Sequence, residues 1–204
     1  RLLEIGAYNT ANVPYKYTSL GFDGESKLRV ATSANIVSSQ NVAYANAQPD
    51  VGGWSHIVFA VDADGMHTVY IDGLLVLSAK LATNPANTKH DLIYIGKSLF
   101  ENDPYANIDF DDVKVYDHAL TAAEVASAAE ITDREAVDAD VASVNIAKVT
   151  TSTKLNLFKH GNNGSSVTWT SSNPSVIDKD GYVFSSDQDK TVRLTAVFSR
   201  GNVT

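Results

Sequence analysis

The 204-residue sequence predicts an all-β protein: two sandwich- or barrel-like modules with one short helix between them. Short runs rich in Val, Ile, Phe, Tyr and Thr recur along the chain, with Gly, Asn, Asp and Pro at their ends. The period changes once, at "ALTAAEVASAAEI", residues 119–131, where an Ala-rich stretch reads as helix. β-like segments then return in a composition richer in Ser, Thr, Asn and Lys.

In the first module the predicted strands are Leu2–Gly6, Lys16–Phe22, Lys27–Thr32, Trp54–Asp62, His67–Ile71, Leu74–Ala79, Leu92–Ile95 and Ile108–Tyr116. Asp23-Gly24, Asp64-Gly65, Asp72-Gly73 and Asn84-Pro85 separate them. Glycine supplies the positive φ that tight hairpin turns require. "GWSHIVFAVDADGMHTVYIDG", residues 53–73, is the most patterned stretch. It predicts a hairpin followed by a second tight turn, with Trp54, Ile57, Phe59 and Val61 in the core.

The helix has a capping box in prospect, Thr121 with Glu124 three residues on. Val125 and Ala129 give it a narrow apolar stripe that fits a surface position. Residues 132–140, "TDREAVDAD", are charged and aperiodic and read as a linker. Beyond it, strands are expected at Val144–Ala147, Lys154–Phe158, Ser166–Ser171, Tyr182–Ser185 and Thr191–Ser199. Val167 and Trp169 share a face, which makes Trp169 a core anchor. "HGNNGSS", residues 160–166, reads as a flexible hairpin loop. The expected domains are 1–131 and 141–204.

Hydrophobic residues make up 44% and charged residues 20%, an ordinary globular balance. The net charge of −8, with no Lys/Arg run, excludes a nucleic-acid binder, because nothing neutralises a phosphate backbone. No apolar run approaches the ~20 residues of a membrane span. Cysteine is absent, which removes disulfides, thiolate metal sites and a thiol nucleophile. The sequence carries no G-x-S-x-G, no Walker sequence and no H-E-x-x-H spacing among its five histidines.

Two groups of residues are candidates for chemistry. Asp109, Asp111 and Asp112 crowd one predicted strand. They read as solvated or turn-forming carboxylates, as hard oxygen ligands for calcium, or as an acid–base pair. The third reading is disfavoured, because alternation sends Asp111 and Asp112 to opposite faces. The second group is Tyr15, Tyr17, Tyr44, Asn102 and Tyr105 in predicted loops. Aromatic rings that stack on sugar faces, beside amides and carboxylates that bond hydroxyls, are the chemistry of a glycan-binding surface.

Four motifs in order carry a resemblance: the Trp-x-His strand opening at Trp54, Tyr70-Ile71-Asp72-Gly73, Ile95-Gly96-Lys97-Ser98, and "FDDVKVYDHALT" from Phe110 to Thr121. Residues 1–130 resemble the laminin-G-like, concanavalin A-type jelly rolls. From Val167 to Gly201 the chain resembles the atrophied bacterial immunoglobulin-like modules. The resemblance implies a jelly-roll β-sandwich plus a small Ig-like sandwich. It implies glycan binding or spacing in a bacterial extracellular or cell-surface protein, without catalysis in this chain and without membrane insertion. It also implies a structural calcium near Asp111 and Asp112. Such pairs accompany catalytic domains of secreted glycoside hydrolases, arabinofuranosidase-like ones among them. A surface adhesion or spacer fragment is the rival expectation. Against the family pattern, strands are missing at both ends, so the expectation is that another segment or chain supplies them or that the sequence is incomplete.

Overall fold

Aspartate turns set the hairpins of the first unit. In the computed structural model, which describes residues 1–35, 39–88, 90–147 and 150–204, Asp62 Oδ1 accepts the N–H groups of Asp64 and Met66, each at 2.9 Å, and Gly65 takes φ 78°. That turn joins β5 (Ile57–Val61) to β6 (Met66–Ile71). Asp72 and Gly73 then close a two-residue turn with φ 49° and 82°, and β7 (Leu74–Lys80) returns beside β6. Two positive φ angles give the mirror-image turn whose twist matches the strands it joins.

The chain divides between Thr121 and Ala122. In the first unit, β1 (Leu3–Tyr8), β2 (Pro14–Phe22), β3 (Leu28–Ser33), β4 (Asn41–Tyr44) and β8 (Leu92–Ile95) form a five-stranded sheet ordered β4-β3-β2-β1-β8. β5, β6 and β7 form a three-stranded sheet. Leu2, Leu20, Leu28 and Val30 pack against Val69, Ile71, Val76 and Leu77 to make the core. The period of two therefore sends Arg29 and Glu4, each next to a core residue in sequence, to the opposite face.

Three features of this unit differ from the sequence expectation. Tyr15 and Tyr17 lie on β2 and Tyr44 on β4, not in loops. Trp54 is 72% exposed rather than buried, and its strand begins at Ile57. The reason is local. The ladder between β5 and β6 ends at the pair Ile57–Ile71, where the Asp72-Gly73 turn carries the partner strand away. Finally, residues 108–116 form no strand. Ile108, Phe110, Val113 and Val115 are exposed, no described strand pairs with them, and Asp112 takes a left-handed φ of 48°. Alternation alone makes no strand without a partner to satisfy the backbone.

The second unit holds two helices, not one. α1 (Ala122–Ala128) belongs to it, and the expected linker is α2 (Asp133–Ala142). α2 opens with a full capping box: Thr132 Oγ1 accepts the Glu135 N–H at 3.2 Å, and Glu135 accepts the Thr132 N–H at 2.9 Å. β9 (Ser166–Ser171) and β10 (Leu194–Ser199) pair in register. The expected strands at Lys154–Phe158 and Tyr182–Ser185 reduce to isolated bridges, Lys154–Tyr182 and Ile177–Val183, and Val144–Ala147 is irregular. Val137 of α2 packs with Leu155, Leu157, Val167, Trp169 and Phe198. Trp169 is the expected anchor, and its Nε1 donates to the Phe158 carbonyl at 2.9 Å.

The loop at 160–166 is not free. Asp140 of α2 is fully buried, and its carboxylate accepts the Asn163 N–H at 2.8 Å, the Asn163 side-chain amide at 2.9 Å and the Ser165 N–H at 3.1 Å. A side chain at Gly161 would collide with that carboxylate. Asp140→Ala strands those donors in the interior, which costs on the order of 3 kcal/mol. Urea melts of the full chain, read by tryptophan fluorescence, are expected to show this loss, and Gly161→Ala should fall in the same direction. A wild-type midpoint for Asp140→Ala would refute the account.

Candidate functional site

The far face of the five-stranded sheet is roofed by the segment that follows β8. Gly6 and Tyr17 make room for it: a Cβ on Gly6 would lie 2.5 Å from Leu99 Cδ1. Leu99 is 1% exposed, and Phe100 meets the Tyr17 ring edge to face at a centroid distance of 5.4 Å. Three polar contacts fix the segment. Glu4 Oε2 accepts the Leu99 N–H at 2.7 Å, Tyr8 donates to the Leu99 carbonyl at 2.6 Å, and Ser98 donates to Asp103 at 2.9 Å.

Arg1 ties this roof to the sheet. Its guanidinium sits 3.0 Å from Asp103 Oδ2 and 3.8 Å from Glu4 Oε1. It lies over Gly21, where a Cβ would come 2.9 Å from the Arg1 Cα. Glu4 is fully buried. Desolvation raises its pKa above the ordinary glutamate value, although the Leu99 N–H, Ser98 and Arg1 pull the other way. The same burial, reinforced by the Glu4 charge, raises the Tyr17 phenol.

Where the roof ends, a cleft of about 430 Å³ opens, lined by Arg1, Asp23, Arg29, Asp103, Tyr105 and Asn107 among others. Tyr105 is 73% exposed at its lip. Arg29 pairs across the sheet with Gly21 on one side and Tyr44 on the other. Tyr44 thus shares the Arg29 face, with its ring 53% exposed. Asp23 is a turn former: its Oδ1 accepts the N–H groups of Glu25 and Lys27, each at 2.9 Å. Those two bonds hold its carboxyl below the usual range. The combination is an aromatic wall with a guanidinium, carboxylates and an amide.

The structure separates the residues singled out from sequence. Tyr105 lines the cleft and Tyr44 stands beside Arg29. Tyr17 is 0% exposed and serves the roof, so its ring is closed to a ligand. Tyr15 is half-buried on β2, with the Lys16 ammonium 5.0 Å over its ring. Asn102 is exposed on the roof's turn, outside the cleft lining. Sequence reasoning missed Arg1, Glu4 and Arg29. The available signal was a lone charge between apolar neighbours in a strand, as in "LLEIG", which marks a second face.

Asp111 and Asp112 are exposed, and Asp111 Oδ1 accepts the Asp112 N–H at 2.8 Å. Calcium takes about six to eight oxygen ligands. Among the described residues no group of three or more acidic or histidine side chains gathers for a metal. Taken alone, these two aspartates do not fit the ion. In the second unit a groove of about 410 Å³ carries Lys154, Lys159, Asp180 and Tyr182, but the Lys154 ammonium already covers the Tyr182 ring at 4.2 Å.

Residues 5–126 match the model of the concanavalin A-like lectin/glucanases superfamily, and residues 124–204 match that of the atrophied bacterial Ig domain. No curated protein matches the chain. A crystal structure of an S-layer domain-containing protein from Clostridium thermocellum ATCC 27405 is similar over 60% of this chain and 59% of that one, with 25% identity and a TM-score of 0.33.

Glu4 gives the roof a pH dependence of defined sign. A carboxyl whose folded pKa lies above its unfolded value binds its proton earlier in the folded state, so stability rises as pH falls through the folded value and levels off below the unfolded one. Glu4→Gln keeps a carbonyl for the Leu99 N–H and removes the buried charge. We expect Glu4→Gln to melt above wild type at pH 7 and the two curves to converge below about pH 4. Parallel curves across that range would remove Glu4 as the titrating group.

Proposed function

The chain belongs to the concanavalin A-like lectin/glucanase superfamily, with an atrophied bacterial Ig domain after it, and from that premise we propose that its first unit is a glycan-binding module. The observation that supports this reading is the cleft beside Tyr105. A pyranose presents an apolar C–H face and a rim of hydroxyls. Tyr105, with Tyr44 on the same sheet face as Arg29, offers rings to the first, and Arg29, Asn107 and Asp103 offer hydrogen bonds to the second.

The jelly roll and the Ig-like domain fit an accessory module. The second unit, with its small core around Trp169, acts as a spacer in this reading. An extracellular or cell-surface setting is part of the proposal, and so is a carbohydrate-active parent protein. Among the described residues, no helix is long and apolar enough to cross a membrane. Calcium is left out of the proposed binding step, because no group of three or more acidic or histidine side chains gathers among the described residues.

Affinity gels of arabinan, xylan, galactan and pectic polysaccharides test the proposal. The full chain is expected to be retarded on at least one. Tyr105→Ala and Tyr44→Ala are each expected to weaken that binding about tenfold, the loss of one stacking ring. Retardation untouched by both substitutions would move the site elsewhere on the module. No retardation on any glycan would overturn the reading in favour of a spacer or a protein-binding adhesion fragment.

A further inference from the structure

Four charged side chains line the cleft, and three of them are committed within the protein. Asp103 Oδ2 holds Arg1 at 3.0 Å and Ser98 at 2.9 Å. Arg1 is held in turn by Asp103 and Glu4. The Asp23 carboxylate closes its own turn through the N–H groups of Glu25 and Lys27. Arg29 is different. It is half-buried, it lines the cleft, and among the described residues no carboxylate lies within ion-pair distance of it.

The sheet register explains why it stays unpaired. Its neighbour on β2 is Gly21, which has no side chain, and its neighbour on β4 is Tyr44, which is neutral. The space over Gly21 is filled by Arg1, a second cation whose charge its own two carboxylates offset. The Asp23 carboxylate in the same cleft feels the Arg29 charge but makes no ion pair with it, so a guanidinium partly withdrawn from water keeps donors for a further anion. Its planar fork of donors matches a carboxylate in two parallel bonds, and a tyrosine ring beside it offers a stacking surface for the sugar that carries that carboxylate.

We infer that the cleft takes an acidic saccharide, a uronide whose carboxylate is held by Arg29. The inference rests on the glycan-binding reading of the same cleft and narrows it. The overall charge of −8 does not oppose it, because at physiological ionic strength charges beyond about 8 Å are largely screened. Binding of the acidic sugar therefore weakens with added salt, whereas binding of a neutral sugar does not.

The test is titration calorimetry of the full chain with oligogalacturonide, oligoglucuronide and oligomannuronide, each beside its methyl ester. Esterification removes the charge and keeps the sugar skeleton. At least one acid form is expected to bind about tenfold or more tighter than its ester, a gap that salt narrows. Arg29→Met should bring that acid down to the level of its ester, and Arg29→Lys should restore only part of the gap. Lys80→Met, the same charge change at an exposed position outside the cleft lining, should leave the gap intact. Melting curves of each variant establish folding. Acid and ester binding equally would overturn the uronide inference while the glycan reading stands. A preference that survives Arg29→Met would overturn it too. Retention of neither these sugars nor any neutral glycan would sink both.

Discussion

The first unit depends on one buried carboxylate. Glu4 sits on β1 between Leu3 and Ile5, which face the core side, and alternation turns it to the other face of the sheet. An ionised glutamate without water there is costly. The Leu99 N–H and the nearby Arg1 offset part of that cost, and both contacts bind chain segments that would otherwise be loops. The roof from Ser98 to Asp103 is thereby fixed, and Tyr105 is delivered to the end of the sheet where Arg29 stands. A position that would read as a sequence error in an apolar strand is what makes the sheet two-faced.

The acidic excess of the chain has a structural use. Asp23, Asp62 and Asp178 each accept the N–H groups of the residues two and four places on, and Asn9 does the same with Ala11 and Val13. Each is a local substitute for backbone pairing at a tight turn. The sequence shows the residue type, and only the backbone path shows whether its oxygens face a ligand or the next amide.

Legibility followed the range of the interaction involved. Asp72-Gly73 and Asp64-Gly65 were readable because a turn is decided by the residues within it. Trp169 was readable because the same-face pair Val167 and Trp169 announces a core strand. The segment 108–116 alternates as well as any strand, yet it lies exposed, since a strand is decided by a partner its own residues do not encode. α2 was missed for the opposite reason. Its apolar face is little more than Ala136 and Val137, and charge hides the period, although Thr132 with Glu135 carried the same capping signal that was noticed at Thr121. Arg29 was missed because its meaning lies in what surrounds it. Gly21 and Tyr44 are distant in sequence and adjacent only through two strand registers.

The second unit shows how little ladder a β module needs when another element closes it. Its described strands pair in a single two-stranded ribbon, and isolated bridges replace the other ladders. A two-stranded ribbon is marginal by itself. Val137 on α2 adds an apolar side chain to the core, and Asp140, one turn further along the same helix, grips the loop that leads into β9. Apolar packing and buried hydrogen bonds thus enter from one helix at i and i+3, positions that share a face. That spacing explains why a charged helix stands in the place expected of a linker. Arg200, after β10, bonds the Asn163 carbonyl at 3.0 Å and meets Asp133 at 3.1 Å, so both strands of the ribbon are tied to α2 at the same end. The helix thus closes the module at the edge where a two-stranded ribbon alone would open.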